Sequence, residues 1–135
     1  MSTATAKKPV LAGKEAIYSP AAQPDFVQGR RDFFKYRELA VSEDEFRAQV
    51  VSTSKGMSEP TGWHYHVCSA QFIYILNGTL DLELEDGRKV HMVAGDSLYL
   101  PGGMKHNETS TSDDVEILEV MMPKLTDTIA CDAPA

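Results

Sequence analysis

Three of the four histidines fall in two short segments that combine strand-forming residues with turn signals. His64 and His66 lie in WHYHV, and His106 follows the turn PGGMK. Side chains two residues apart on a strand share a face, so the first two imidazoles start about 6–7 Å apart at the backbone and can converge on one ion. Imidazole is the commonest transition-metal ligand, and three of them on two paired strands predict a divalent metal site with open positions. His91 lacks this context and is interpreted as structural.

The elements that must position these histidines are short strands, because the middle of the chain alternates with a period of two residues. The clearest case is TLDLELEDG, where Leu80, Leu82 and Leu84 face one way and acidic residues face the other. Its Asp86-Gly87 pair is typical of a tight hairpin. The runs QFIYIL, VHMV, SLYL and VEILEVMM are each followed by a turn signal containing glycine or proline. Many short strands at this spacing predict an antiparallel sandwich or barrel.

The segment FRAQVVST alternates too, but its two faces differ less in polarity. We expect Phe46, Ala48 and Val50 to face the core, which places Arg47 and Gln49 on the outer face. If this strand is turned over, the two polar side chains reach a substrate instead.

Composition restricts the classes of function. The chain has 135 residues, with 13 basic and 20 acidic side chains, and its net charge is −7. An acidic protein of this kind is disfavoured as a binder of nucleic acid backbones or anionic membranes, which attract basic surfaces. The sequence has no apolar run of about 18 residues and no secretory leader. We therefore expect a cytoplasmic protein that contacts neither nucleic acid nor membrane.

The pattern predicts one domain. Residues 1–24 are interpreted as an N-terminal arm, partly disordered or packed against a partner subunit, and residues 124–135 as a C-terminal tail. Residues 25–123 form the barrel domain, in which 32–41 is expected to pair with a neighbouring subunit. Aromatic side chains out of phase with the histidines favour a homodimer, since they leave apolar surface to cover.

Between residues 40 and 123 the sequence resembles the cupin superfamily. The first cupin motif is matched at His64, His66 and Gly78, and the second at Gly95, Pro101, Gly103 and His106. Three positions depart from the pattern. No glycine precedes His64 at the expected distance, Gln71 stands where the first motif has an acid, and Ser110 stands where the second has asparagine. The resemblance implies an all-β, antiparallel double-stranded β-helix, an RmlC-like jelly-roll barrel with a metal inside near one mouth.

The resemblance also implies a fourth metal ligand at Gln71. Alternatively, this amide hydrogen-bonds a water at the metal, or the metal site is degenerate. Three histidines and an amide leave the +2 charge of the ion uncompensated, which favours a small anionic substrate such as a carboxylate or enediolate.

One group of cupins with a similar His-x-His-x4-Gln…His set linearises unsaturated uronates, and there an acid on the last barrel strand transfers protons. Glu119 occupies the corresponding position in EILEVMMP. By parity it shares a face with Val115, Ile117 and Met121, and an acid in apolar surroundings is suited to general acid–base catalysis. Alternatively, a bulge in the strand places Glu119 at the surface.

Three functions therefore remain open. The first is a mononuclear metal-dependent enzyme, either an isomerase or lyase such as a uronate-linearising enzyme, or a dioxygenase. The second is a non-catalytic cupin that binds a metal or a small ligand, and the third is an oligomerisation module. The resident ion would be Fe, Mn, Ni or Zn, with iron indicating oxygenase chemistry.

Overall fold

The computed structural model describes residues 16–22, 25–29, 31–42, 44–123 and 127–135, and its regular elements in these ranges are all β-strands. In chain order these are β1 (Phe26–Gln28), β2 (Lys35–Ser42), β3 (Phe46–Ser52), β4 (His64–His66), β5 (Ala70–Asn77), β6 (Thr79–Leu84), β7 (Lys89–Val93), β8 (Ser97–Pro101), β9 (His106–Thr111), β10 (Glu116–Met122) and β11 (Thr128–Ala130). The described chain contains no helix long and apolar enough to cross a membrane.

The strands form two antiparallel sheets. One has the order β1-β2-β3-β10-β5-β8, and the other has the order β11-β4-β9-β6-β7. The sheets enclose a core that includes Ile75, Leu80, Leu84, Met92 and Val115, each at most 2% exposed. The prediction of an antiparallel jelly-roll barrel is confirmed, as are the inward leucines of β6 and the hairpin that joins β6 to β7.

The predicted orientation of β3 is wrong. Gln49 and Val51 are buried at 8% and 6% exposure, whereas Phe46, Ala48 and Val50 are only half-buried. Gln49 lies opposite Glu119 in the register between β3 and β10, which places both side chains on the same face of the sheet. The face of β3 that carries Arg47 and Gln49 therefore lines the interior.

The edge strands show how the two ends of the chain pack. Strand β2 pairs with β3 along most of its length and with β1 only at Lys35–Arg37. Pairing of the segment 32–41 with a neighbouring subunit stays a prediction. Part of the N-terminal arm packs here, since Arg37 Nη2 donates to Ser19 Oγ at 3.0 Å; residues 1–15 lie outside the described chain. The segment 124–135, expected to be a tail, contributes β11, which pairs with β4.

Candidate metal centre and its cavity

The three predicted histidines come together where β4 and β9 pair. His64 lies directly opposite His106 in the register, and His66 follows two residues later on the same face. The three ring centroids are 4.4–5.2 Å apart, and one nitrogen from each ring lies within 4.8 Å of the others. The three imidazoles are thus positioned to hold a single metal ion.

A glycine turn sets the height at which His106 enters β9. Gly102 N donates to Ser69 O at 2.8 Å, and a Cβ atom on Gly102 would overlap the carbonyl of Cys68. Gly103 follows with φ +80°, a conformation that side-chain-bearing residues rarely adopt. The turn therefore packs against the loop that follows His66, and this contact brings the second motif onto the first.

Hydrogen bonds at Nδ1 orient all three rings. His64 Nδ1 lies 2.7 Å from Gly62 O, and His106 Nδ1 lies 3.0 Å from Met104 O. A carbonyl oxygen only accepts, so Nδ1 carries the proton in both rings and Nε2 is left with a lone pair for a metal. His66 Nδ1 lies 2.9 Å from Thr128 Oγ1 on β11. This supporting residue was missed, because a short strand in an expected tail gives little sequence signal.

Glu119 lies on the inner face of β10 and is held between two amides. Gln49 Nε2 donates to Glu119 Oε1 and Gln71 Nε2 donates to Glu119 Oε2, both at 2.6 Å. Gln49 is the direct neighbour across the strand pair, and Gln71 is the diagonal one on β5. Because Gln71 uses its nitrogen here, its Oε1 is the atom left to approach a metal.

The surroundings of Glu119 raise the pKa of its carboxyl. Burial is the largest cause, and the negative charge of Glu108 acts in the same direction. The hydrogen bonds from Gln49 and Gln71 and the nearby His106 act in the opposite direction, since each stabilises the carboxylate. The residue retains some accessible surface because it lines the cavity, yet protein surrounds it closely enough for desolvation to dominate.

A second acid, Glu108, was missed in the sequence. Its Oε1 lies 3.5 Å from His64 Nε2 and its Oε2 lies 3.4 Å from His106 Nε2. Glu108 lies two residues after His106, and residues two apart on a strand share a face, so this spacing could have identified it from the sequence. The sequence-based prediction that the +2 charge of the ion is uncompensated is therefore wrong, because the Glu108 carboxylate would offset part of the charge of an ion between these rings.

These groups line one cavity of about 670 Å³ inside the barrel. Its wall includes the three histidines, Gln71, Glu119, Glu108, Gln49, Arg31, Arg47 and apolar side chains of the core. A largely apolar cavity of this size with a few convergent polar groups is typical of a small-molecule site. His91 lies outside it, exposed and with Nδ1 2.6 Å from Asp81 Oδ1, in agreement with a structural role.

Several solved structures are similar to this fold. KdgF from Halomonas sp. has 20% identity over 82% of this chain and 94% of its own, with a TM-score of 0.68. The polyketide cyclase RemF from Streptomyces resistomycificus has 20% identity over 83% and 82%, with a TM-score of 0.67. Streptomyces Pac13, a nucleoside dehydratase, has 14% identity over 90% and 95%, with a TM-score of 0.64. At these identities the likeness establishes the fold alone.

A comparison with curated proteins found no match. The family model for the cupin domain matches residues 50–121, the part of the chain that carries both histidine motifs and Glu119. Because this match extends over more than half of the 135 residues, the protein belongs to the cupin family.

Proposed function

We propose that this cupin is a mononuclear, divalent metal-dependent enzyme, an isomerase or lyase, that acts on a small oxygen-rich acid. His64, His66 and His106 hold the metal, with Gln71 Oε1 as a fourth ligand, and Glu119 transfers the proton. The observation that carries the proposal is that the three converging imidazoles and the carboxyl of Glu119 line the same cavity. An oligomerisation module would leave this arrangement without a use.

The division of labour follows from the chemistry of each group. A divalent ion supplies Lewis acidity, which polarises a carbonyl or hydroxyl oxygen of the substrate. Glu119 accepts or delivers a proton at Oε1 or Oε2, each of which has a second lone pair beyond the one used by an amide. Gln49 and Gln71 fix the direction of that carboxyl, and the apolar wall excludes water from the reacting atoms.

Arg47 supports the assignment of an anionic substrate. Its side chain lines the cavity, and its Nη2 lies 3.0 Å from Glu38 Oε1. Its buried Nε has no hydrogen-bond partner within the described chain. A buried donor without an acceptor costs free energy, and a substrate carboxylate is the strongest acceptor that can relieve this cost.

Unsaturated uronates are the first substrates to consider, since the set of His64, His66, Gln71 and His106 resembles that of the uronate-linearising cupins. RemF, a polyketide cyclase, and Pac13, a nucleoside dehydratase, are examples of catalysis on a similar fold. Dioxygenase chemistry is the alternative if the resident metal is iron.

The test begins with protein purified without chelator. We expect one divalent metal per chain and turnover of an unsaturated uronate, or of another small hydroxy or keto acid, followed by NMR. Removal of the metal should lower turnover by about 100-fold or more, and its return should restore the rate. Metal-free protein with full activity would contradict the proposal, and bound metal without turnover of any acid would favour a binding protein.

Thr128 provides a test of the metal site from the C-terminal strand. Replacement of Thr128 by valine removes the partner of His66 Nδ1, so we expect the dissociation constant for the metal to rise about tenfold. Thr128→Ser keeps the hydroxyl and should retain affinity within about twofold of the native protein. Competition with a chromogenic chelator measures both. Equal affinity in the valine and serine variants would show that this contact does not support the site.

A further inference from the structure

Glu108 faces two of the three histidines in a geometry that the proposed site does not yet use. Each carboxylate oxygen addresses a different ring, with Oε1 at 3.5 Å from His64 Nε2 and Oε2 at 3.4 Å from His106 Nε2. These are the same nitrogens that are left for a metal once Nδ1 carries the proton. We propose that Glu108 is the anionic ligand of the metal, an inference that rests on the proposed function.

The close approach of the Glu108 carboxylate oxygens to the two Nε2 atoms requires a positive charge between them. In a neutral imidazole with its proton on Nδ1, Nε2 presents a lone pair, and a carboxylate oxygen also presents lone pairs. Two acceptors that face each other in a partly buried site repel unless a proton or a cation lies between them. The third imidazole, that of His66, converges on the same point. A single proton can be shared by only two of these acceptor atoms, whereas a divalent ion can bind three nitrogens and a carboxylate oxygen together.

The distances favour a shared ion over direct hydrogen bonds. An N–H···O bond normally spans about 2.7–3.2 Å. Two ligand atoms that each lie about 2.1 Å from one ion, at an angle of about 110–120°, are about 3.4–3.6 Å apart, and such angles occur in five-coordinate as well as four-coordinate sites. The observed separations of 3.4 Å and 3.5 Å match the second geometry.

The backbone of β9 and the residue Thr61 hold Glu108 in place. Thr61 N donates to Glu108 O at 2.9 Å, and Glu108 N donates to Thr61 Oγ1 at 3.2 Å. The carboxylate oxygen Oε1 lies 3.4 Å from the same hydroxyl oxygen. Glu108 is therefore oriented by the chain, as metal-ligating carboxylates are. It supplies the negative charge that the first cupin motif lacks here, because Gln71 occupies the acidic position.

The experiment compares Glu108→Gln with Glu116→Gln. Both variants remove one negative charge, but Glu116 is an exposed residue on β10, outside the cavity wall. With Zn²⁺ and Mn²⁺ as probes in chelator competition, we expect Glu108→Gln to raise the dissociation constant by about 100-fold. We expect Glu116→Gln to stay within about twofold of the native protein.

Infrared difference spectra of the native protein provide a readout that does not depend on how a variant folds. Addition of Zn²⁺ should shift a carboxylate stretching band. Equal affinity for metal in native and Glu108→Gln protein, or no shift of such a band in the native protein, would overturn the assignment of Glu108 as a ligand. Either result would leave the proposed function standing. A native protein that binds neither ion would overturn the proposed function as well.

Discussion

Replacement of Glu119 by glutamine is expected to slow turnover by about 100-fold or more while leaving the affinity for metal within about threefold of the native protein. The variant keeps the length and shape of the side chain but removes the group that exchanges a proton. Neither Gln49 nor Gln71 can transfer the proton instead, because an amide side chain neither gains nor loses a proton near neutral pH. The ligated histidines cannot act either, since their Nε2 lone pairs are committed to the metal.

The control for this variant is Glu116→Gln, the same chemical change on the outer face of the same strand. It should retain native turnover with the acid substrate that the native protein converts. Chelator competition on both variants separates loss of chemistry from loss of metal. Native turnover in Glu119→Gln would remove this carboxyl from the mechanism, and a parallel loss of metal would reassign it to support of the site.

The parts of the molecule that could be predicted from the sequence are those determined locally. Period-two alternation in TLDLELEDG was sufficient to orient Leu80, Leu82 and Leu84 inward, because one face of that strand is uniformly apolar. The spacing of His64 and His66 placed two rings on one face for the same reason. His106, placed by the turn before it, joins the other two rings once the strands that carry the two motifs pair.

Strand β3 shows where this reasoning fails. One face of β3 carries three apolar side chains, whereas Val51 is the one apolar residue on the face of Arg47 and Gln49. Hydrophobicity alone therefore predicts that the first face points inward. Because the interior at this point is a cavity with polar groups on its wall, the face that carries Arg47 and Gln49 turns inward. A polar residue at a buried position indicates a functional site, and such sites are where pattern rules based on an apolar core give the wrong side.

The contacts of Glu108 and Thr128 depend on pairings between distant parts of the chain. His66 meets Thr128 because β11 adds to the edge of β4, and a three-residue strand leaves almost no pattern in the sequence. Glu108 shares the face of His106, but only the pairing of β9 with β4 brings it to His64 as well. Glu108 and Glu119 thus both acquire their partners from tertiary structure.

The largest effect on the metal is expected when two ligands are lost together. His64→Ala combined with His106→Ala removes both rings of the central register pair and leaves His66 as the last imidazole in the cavity. One histidine with carboxylate or amide oxygens retains divalent transition metals poorly. Circular dichroism shows whether the double variant has formed the barrel. If it has not, His66→Ala is the second variant to use, because it removes a half-buried ring rather than two buried ones.

The measurement that tests the central claim most directly is the metal content of three proteins purified without chelator: native, His64→Ala with His106→Ala, and His91→Ala. His91 is exposed and lies outside the cavity, so its removal controls for loss of an ordinary histidine. We predict about one divalent ion per chain in the native and His91→Ala proteins, and background metal in the double variant. Native stoichiometry in the double variant would contradict a metal centre built on these histidines.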